Sequence, residues 1–540
     1  MFKILEKQSQ SVVSAALILA AASLVSRFLG LLRDRLLAAN FGAGDTLDVY
    51  YAAFQIPDLA FNLLVVGALS AGFIPIFAGF WQKGADKKEA WRFVNSLFNI
   101  ILLALILFGA LFIIFAPQVM KLIVPGFEGE KFRQTVFLAR IMFLSPVFLG
   151  ASTVFGGVLQ GTKRFFVIAL TSVLYNLGII FGIIFLVPRF GILGLALGVA
   201  GGAFVHMAIQ IPSMRSLGFR YRATIDWGNY GLRRLSKLMI PRILTLGVSQ
   251  INFLAITVIA STLAAGSLAI FNFAYNIWNF PLGILAASFA MAAFPNLAEN
   301  AAAKNWRQYS RVFSATFRQI IFLIIPASAL FLVLRAQIVR VVLGAGKFDW
   351  QDTVLTLETL QFLTLGLFAE GLNLLVARSF FALEDTKTPF FLGAASSVFR
   401  IFGALFFSAK MGVAGLAFGY ALGGIIYFIL LLAFLSRRVD LRIKEISLSA
   451  AKIVPASLAG GITAFFSLRI FDGFLNTGTL VGIFTQGFLA GIAGIIIYLA
   501  ICYLLRSPEL NDILQGFKKK IPAGSAVADK ELIQPMEEGK

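Results

Sequence analysis

The 540-residue chain is 59% hydrophobic and only 13% charged, with a mean hydropathy of +0.87. A soluble domain carries about half apolar and about a quarter charged residues, so a water-soluble globule is excluded and embedding in a bilayer is implied. The net charge of +20 is scattered over short gaps between apolar runs, which is how membrane loops carry it and argues against a nucleic-acid partner.

In chain order, Lys3 and Lys7 precede an apolar stretch that continues far beyond a signal-peptide core, so the expectation is a retained first helix. A hydrocarbon core about 30 Å thick needs about twenty apolar residues per helix. The runs that meet this need give fourteen candidate spans. Six lie at 11–40, 49–80, 92–116, 134–160, 164–187 and 191–211. Six more lie at 238–264, 268–297, 312–334, 352–382, 388–408 and 412–436, and a last pair at 447–469 and 480–505. The expected fold class is therefore an all-α polytopic membrane protein. It has two parallel six-helix lobes, 1–211 and 238–436, joined by a basic linker at 212–237. A terminal helix pair at 447–505 and a tail at 506–540 complete it.

Lysine and arginine test this division. Alternate gaps hold about 28 basic residues, among them Lys83, Lys87, Lys88, Arg215, Arg220, Arg222, Arg233 and Arg234, against about eight in the opposite set. The positive-inside rule then places both termini in the cytoplasm. In the tail, Leu510, Ile513, Leu514 and Phe517 are spaced as one helical face before Lys518–Lys520. That pattern predicts a short helix on the anionic membrane surface, followed by a disordered end from Ala523.

An internal repeat runs at an offset near 220 residues. Gly191-Ile-Leu-Gly194-Leu-Ala196-Leu-Gly198 recurs as Gly412-Val-Ala-Gly415-Leu-Ala417-Phe-Gly419, Gly161-Thr162-Lys163 as Asp385-Thr386-Lys387, and Phe73-Ile74-Pro75 as Phe294-Pro295. Six spans per repeat is even, so both halves enter the membrane in the same sense. Parallel repeats of this kind can rock about a site between them.

Ionisable residues inside spans are costly and mark function or pairing. Helix 1 carries Arg27, Arg33, Asp34 and Arg35, and Asp48 opens helix 2; Asp58, Arg140, His206, Glu370, Arg378 and Arg400 lie elsewhere. Arg35, Arg378 and Arg400 read as snorkelling or paired near helix ends, and His206 as a satisfied interior histidine. Arg27 and Arg33 lie where the positive-inside rule does not favour arginine. Six residues apart, they are rotated by about 240° on an ideal helix, so one shared ligand requires a bend or a broad cavity. A guanidinium in a wet cavity suits phosphate or pyrophosphate through its bidentate fork. Asp34 can hold Arg33 in place, and Asp34, Asp48 or Glu370 can respond to a coupling ion. With one histidine, one cysteine (Cys502) and no phosphate-binding loop or nucleophile set, neither an enzyme nor a metal or cofactor site is expected.

The segment Ser26-Arg27-Phe28-Leu29-Gly30-Leu31-Leu32-Arg33-Asp34, with Phe41-Gly42-Ala43-Gly44 and Asp48, resembles the MurJ (MviN) lipid II flippases of the multidrug/oligosaccharidyl-lipid/polysaccharide exporter superfamily. Ala53-Phe54-Gln55-Ile56-Pro57-Asp58-Leu59, Gly67–Pro75, Leu159–Phe165 and Phe380–Pro389 extend the resemblance along nearly the whole chain. It implies a multi-pass flippase of the bacterial inner membrane that moves a lipid-linked pyrophosphate glycan to the outer leaflet. Membrane lipids and wall-synthesis enzymes would be its partners. It also implies that Arg27, Arg33, Asp34 and Asp48 bind substrate. Some family members carry charges along helices 2 and 8 where this chain has Phe61, Asn62 and Val66, and Tyr275, Asn276 and Asn279. Amides such as Asn276 would then replace part of the ionic lining. Export of another polyprenyl-linked oligosaccharide and a non-transporting scaffold are the alternatives.

Overall fold

The computed structural model describes residues 12–69, 72–83 and 87–512, and among these there are helices and no strand. The first half comprises α1 (Val12–Phe41), α2 (Asp45–Ala60), α3 (Phe73–Lys83), α4 (Lys88–Ile123), α5 (Gly129–Met142) and α6 (Leu144–Gly161). It continues through α7 (Phe165–Phe181), α8 (Ile192–Ala208) and the short α9 (Ile211–Ser216). The second half comprises α10 (Tyr230–Ser261), α11 (Ser267–Pro281), α12 (Ala287–Ala302), α13 (Trp306–Val342), α14 (Trp350–Leu365), α15 (Leu367–Ala382) and α16 (Lys387–Ser436). The pair α17 (Ile443–Asp472) and α18 (Leu480–Leu504) follows.

Each of the fourteen apolar runs falls on helix. Ten continuous helices are long and apolar enough to cross a bilayer, and eleven if α14 and α15, bent by 42°, form one span. The 50-residue α16 is two helices meeting at Gly412, whose φ of 58° and ψ of −137° no side-chain-bearing residue adopts readily. The expected surface helix around Phe517 and the extreme N-terminus lie outside the described residues.

The repeat is visible in backbone geometry at an offset of 221. Gly191, with φ 56° and ψ −139°, is the counterpart of Gly412. A π-helical turn at Phe61–Val66 follows α2, and another at Leu282–Ala286 follows α11. Lys163 and Glu384, which leave helix through positive φ, are 221 residues apart as well. A π turn inserts one residue into the helical ladder and bends it, commonly at functional positions.

Small residues set the packing within each half. Gly182, in a π turn after α7, and Gly198 on α8 touch backbone to backbone: a Cβ on Gly198 would stand 2.8 Å from the Gly182 Cα. Their repeat partners Gly403 and Gly419 meet the same way within α16. Close approach of this kind substitutes dispersion for the hydrophobic drive that lipid does not provide. In the first half α1 lies on α7, α8 on α6 and α7, and α4 on α6; in the second, α10, α14 and α15 lie on α16, and α11 on α14. The pair α17–α18 packs mainly on α13. The connection between halves is strapped to α4. Asn99 donates to the carbonyls of Arg222 (2.8 Å) and Thr224 (2.9 Å), and Asn95 accepts from the Arg222 N–H at 2.9 Å.

A Cβ branch at Gly198 has nowhere to go, so Gly198→Val is expected to destabilise the first half by about 1–3 kcal/mol. The check is the thermal unfolding midpoint of the purified protein in detergent; an unchanged midpoint would contradict the packing.

Candidate functional site

Helices α1 and α11 run antiparallel across the boundary between the halves. Arg27 lies against Gly283, where a Cβ would meet its guanidinium, and the rings of Phe28 and Phe280 are 5.9 Å apart, edge to face. Further along, the amide of Asn276 donates to Asp34 Oδ2 at 2.9 Å. Ascending α1 from Arg27 to Asp34 thus descends α11 from Gly283 to Asn276, about 10 Å along each axis.

Asp34 is the hub. Its Oδ1 accepts from Arg33 Nε at 3.0 Å and Nη2 at 2.8 Å, while Oδ2 takes the amide of Asn276 from the other half. Arg33 also reaches Asn176 Oδ1 at 3.5 Å on α7, and the Asn176 amide donates to Ser26 Oγ at 3.1 Å and the Ser172 carbonyl at 3.2 Å. The Asp34 side chain is 3% exposed and that of Arg33 is 23% exposed; Nε and Nη2 of Arg33 are held by Asp34 and Nη1 meets Asn176. Arg27, two turns away, has no hydrogen bond or ion pair with a described residue. Tyr51, on α2, is in electrostatic reach of both Arg33 and Asp34, and its buried hydroxyl has no partner.

Four of the five predicted residues, Arg27, Arg33, Asp34 and Asn276, therefore line the α1–α11 boundary. The 240° rotation between the arginines remains: Arg27 turns toward α11 and Arg33 toward α7, on an unbroken α1. Asn176 was not singled out from the sequence. One amide inside an apolar helix is a weak signal, and its meaning came only with the Arg33 contact.

Asp48 stands apart from this group. Its Oδ2 accepts from Lys131 Nζ at 2.9 Å and from the Gly266 N–H at 2.8 Å, and its Oδ1 from the Ala269 N–H at 3.0 Å. It therefore binds the N-terminus of α11, where free N–H groups and the helix dipole favour a carboxylate. Gly266 caps that helix at φ 84°, with the Ala43 carbonyl packed where a side chain would be. Around it the halves are stitched further: the Ala43 N–H donates to Asp352 Oδ2 at 2.9 Å, Lys347 N–H to the Ala39 carbonyl at 2.9 Å, and Arg35 to the Val341 carbonyl at 2.5 Å. The bundle is shut at this end.

The second half holds its own polar centre. Arg400 pairs with Glu370 at 2.6 Å and lies 4.0 Å over the ring of Tyr420, beside a cavity of about 270 Å³. Asn373 donates to the Gly424 carbonyl at 3.1 Å, and Asn252 to Ser397 Oγ at 2.9 Å. Arg400 is thus paired deep within the half, and Arg35 is paired at its closed end. His206 is bonded through Nδ1 to Ser152 Oγ at 2.6 Å.

The family model for lipid II flippase MurJ matches residues 37–484. The chain belongs to the MurJ family of lipid II flippases. A probable lipid II flippase MurJ of Haemophilus influenzae is 30% identical over 393 residues, covering 70% of this chain and 77% of that protein. One from Rhizobium tropici is 28% identical over 535 residues, covering 96% and 99%. Among solved structures, a lipid II flippase MurJ in an inward closed conformation matches with a TM-score of 0.75 at 25% identity, over 92% of this chain and all of that one. An inward-facing multidrug MATE transporter shares the fold at a TM-score of 0.64 and 17% identity, over 78% of this chain and 95% of that one. The family is one of transporters, and this member is a multi-pass protein of the bacterial inner membrane.

Removing the Asp48 carboxylate leaves two N–H groups of α11 without their acceptor and leaves Lys131 with Asp45 alone. Asp48→Ala is therefore expected to loosen the closed end. With Cys502 replaced by alanine and a cysteine placed at Ala43, thiol labelling should accelerate by about tenfold, the ratio that a shift of about 1.4 kcal/mol produces. Equal labelling rates with and without the carboxylate would show that other contacts hold the end shut.

Proposed function

We propose that the chain moves lipid II from the inner to the outer leaflet by alternating access. The pyrophosphate is held between the two halves at Arg33 and Arg27. The observation that supports the residue assignment is that Arg33, held by Asp34 through Nε and Nη2, keeps a side chain that is 23% exposed beside the contact of Asp34 with Asn276 of the other half. A pyrophosphate offers more acceptor oxygens than a single carboxylate and favours the guanidinium fork. Arg27, with no acidic partner among the described residues, supplies the second positive charge.

The Lys/Arg asymmetry supports cytoplasmic termini, which makes the end closed by Asp48 the outer one. The lobes are taken as 1–211 and 238–436, with 212–237 as the cytoplasmic bridge. On this reading the headgroup enters from the cytoplasmic side while the polyprenyl chain stays in lipid, because only the headgroup needs a wet cationic path. Binding acts on the lobes through Asp34. The carboxylate that steadies Arg33 also receives Asn276 of the opposite lobe, so drawing Arg33 onto phosphate alters an inter-lobe bond. A ligand drives the change between states only through such differential contacts. Asp48 then serves the outer gate and does not touch the headgroup, and Asn276 acts as the link between lobes. Wall-synthesis enzymes consuming the flipped precursor are its expected partners.

The test is the leaflet distribution of lipid II in cells depleted of this protein and lacking any second flippase. Lipid II should accumulate in the inner leaflet, and Arg33→Ala should fail to restore export, with at least about a tenfold loss of rate, the equivalent of losing one charge-assisted contact. A normal distribution after depletion would overturn the substrate. Full rescue by both Arg33→Ala and Arg27→Ala would favour the scaffold reading.

A further inference from the structure

The loop between α13 and α14, residues 343–349, faces two ways. Toward the first half, the Lys347 N–H donates to the Ala39 carbonyl at 2.9 Å, and Gly346, at φ 59°, packs its backbone against the same carbonyl. On its other side the loop and the start of α18 enclose a cavity of about 320 Å³. That volume lies in the range of small-ligand sites. Its wall includes Arg340, Phe348, Asp349, Trp350, Leu480 and Ile483.

This wall holds one cation and one anion that do not pair with each other. Arg340 reaches the Thr477 carbonyl at 3.3 Å and has no carboxylate partner among the described residues. Asp349 caps α14, its Oδ1 accepting from the Asp352 N–H at 2.8 Å, and no described lysine or arginine pairs with it. Opposite charges kept apart on one open wall suit a ligand that carries both. A phosphate matches the guanidinium fork, and an ammonium matches the carboxylate. Trp350, 70% exposed on the same wall, supplies the kind of ring that attracts an ammonium.

The pocket also lies at the right depth for a lipid headgroup. Arg340 comes two residues before the end of α13, and Trp350 opens α14. Tryptophan is concentrated at the level of the headgroups, and arginine near a helix end snorkels to it. Leu480, 47% exposed, and Ile483 stand in the first turn of α18 and continue the wall along an apolar helix.

We propose that this pocket binds the phosphoethanolamine headgroup of a zwitterionic phospholipid, with the phosphate on Arg340 and the ammonium on Asp349 and Trp350. On the orientation proposed above, the lipid comes from the outer leaflet. Once bound, it steadies the closed end. Asp349 and Asp352 cap α14 together, and Asp352 also accepts the Ala43 N–H of the first half at 2.9 Å. A ligand that fixes Asp349 therefore acts on a contact between the halves, and it favours closure through its higher affinity for the state in which the loop is packed.

The experiment titrates short-chain phosphatidylethanolamine and phosphatidylglycerol, of equal chain length, against the purified full-length protein in detergent. The two share the phosphate and differ in the ammonium. Wild type should bind phosphatidylethanolamine about tenfold more tightly, as one charge-assisted contact implies. Asp349→Asn keeps the helix cap, because asparagine caps as well as aspartate, and should bring the two affinities together. Arg340→Gln should weaken both by a similar factor. If Arg340→Gln lowers the unfolding midpoint through loss of the Thr477 contact, Asp349→Asn alone decides. Equal wild-type affinities, or a preference for phosphatidylethanolamine that survives Asp349→Asn, would overturn the site. The effect on the closed end is read separately, as thiol labelling of Ala43→Cys in a Cys502→Ala background, in nanodiscs with and without phosphatidylethanolamine. Labelling should be slower with it; an unchanged rate would overturn the lipid's action on that end and leave the site standing. Neither measurement depends on which leaflet the end faces. Labelling of Trp350→Cys in the same background, by an impermeant thiol reagent on spheroplasts, tests that alone: protection would overturn the outer placement and leave the binding result intact.

Discussion

The Asp48 carboxylate clasps one end of the bundle, and the register of the two halves at that end depends on it. Two helical halves joined by one strapped segment have no covalent reason to stay in register. At the closed end a single buried carboxylate accepts from Lys131 of one half and from two N–H groups at the start of α11 in the other. The two N–H groups of α11 lose their acceptor if the halves part, whereas Lys131, on the same half and also paired with Asp45 at 2.6 Å, does not, so the cross-half part of the contact is made only while the end is shut. Charge-assisted hydrogen bonds of this kind are worth about 1.5–3 kcal/mol each where water is excluded. A clasp of that size holds one state without making the other unreachable.

A bilayer offers no water to orphaned polar groups, so charges inside the spans must be satisfied by protein or by ligand. Arg400 is satisfied by Glu370 and the Tyr420 face, and Arg35 by a carbonyl. Among the described residues, Arg27 and Asp58 have no side-chain hydrogen bond or ion pair, and Arg33 keeps a partly exposed side chain. That imbalance separates the α1–α11 boundary from the closed polar centre of the second half. Asp34 ties the boundary together, because it orients Arg33 and bonds to the opposite lobe through Asn276.

Much of this was legible beforehand, and for identifiable reasons. Long apolar runs located the helices, since period and hydropathy report directly on lipid exposure. The repeat showed first as Gly191 and Gly412, and the backbone explains why: both hold the same positive-φ turn that glycine adopts most readily. The π turns at Phe61 and Leu282 left no trace in composition, because the residues within them are ordinary helix formers. The site was half visible. Arginine inside a span announces itself by cost, so Arg27 and Arg33 stood out, whereas Asn176 gains its meaning from a contact with Arg33, 143 residues away. Asp48 was grouped with the arginines through its neighbours in sequence, and tertiary packing instead carries it to the far end of α11.

The central claim is that Arg33 and Arg27 together hold the pyrophosphate. It is tested most directly by the affinity of purified Arg33→Gln and Arg27→Gln proteins for polyprenyl pyrophosphate, with polyprenol as the uncharged control. Each substitution is expected to weaken pyrophosphate binding by about tenfold or more, as loss of a charge-assisted contact requires, and to leave polyprenol binding unchanged. Undiminished pyrophosphate affinity in both variants would contradict the account.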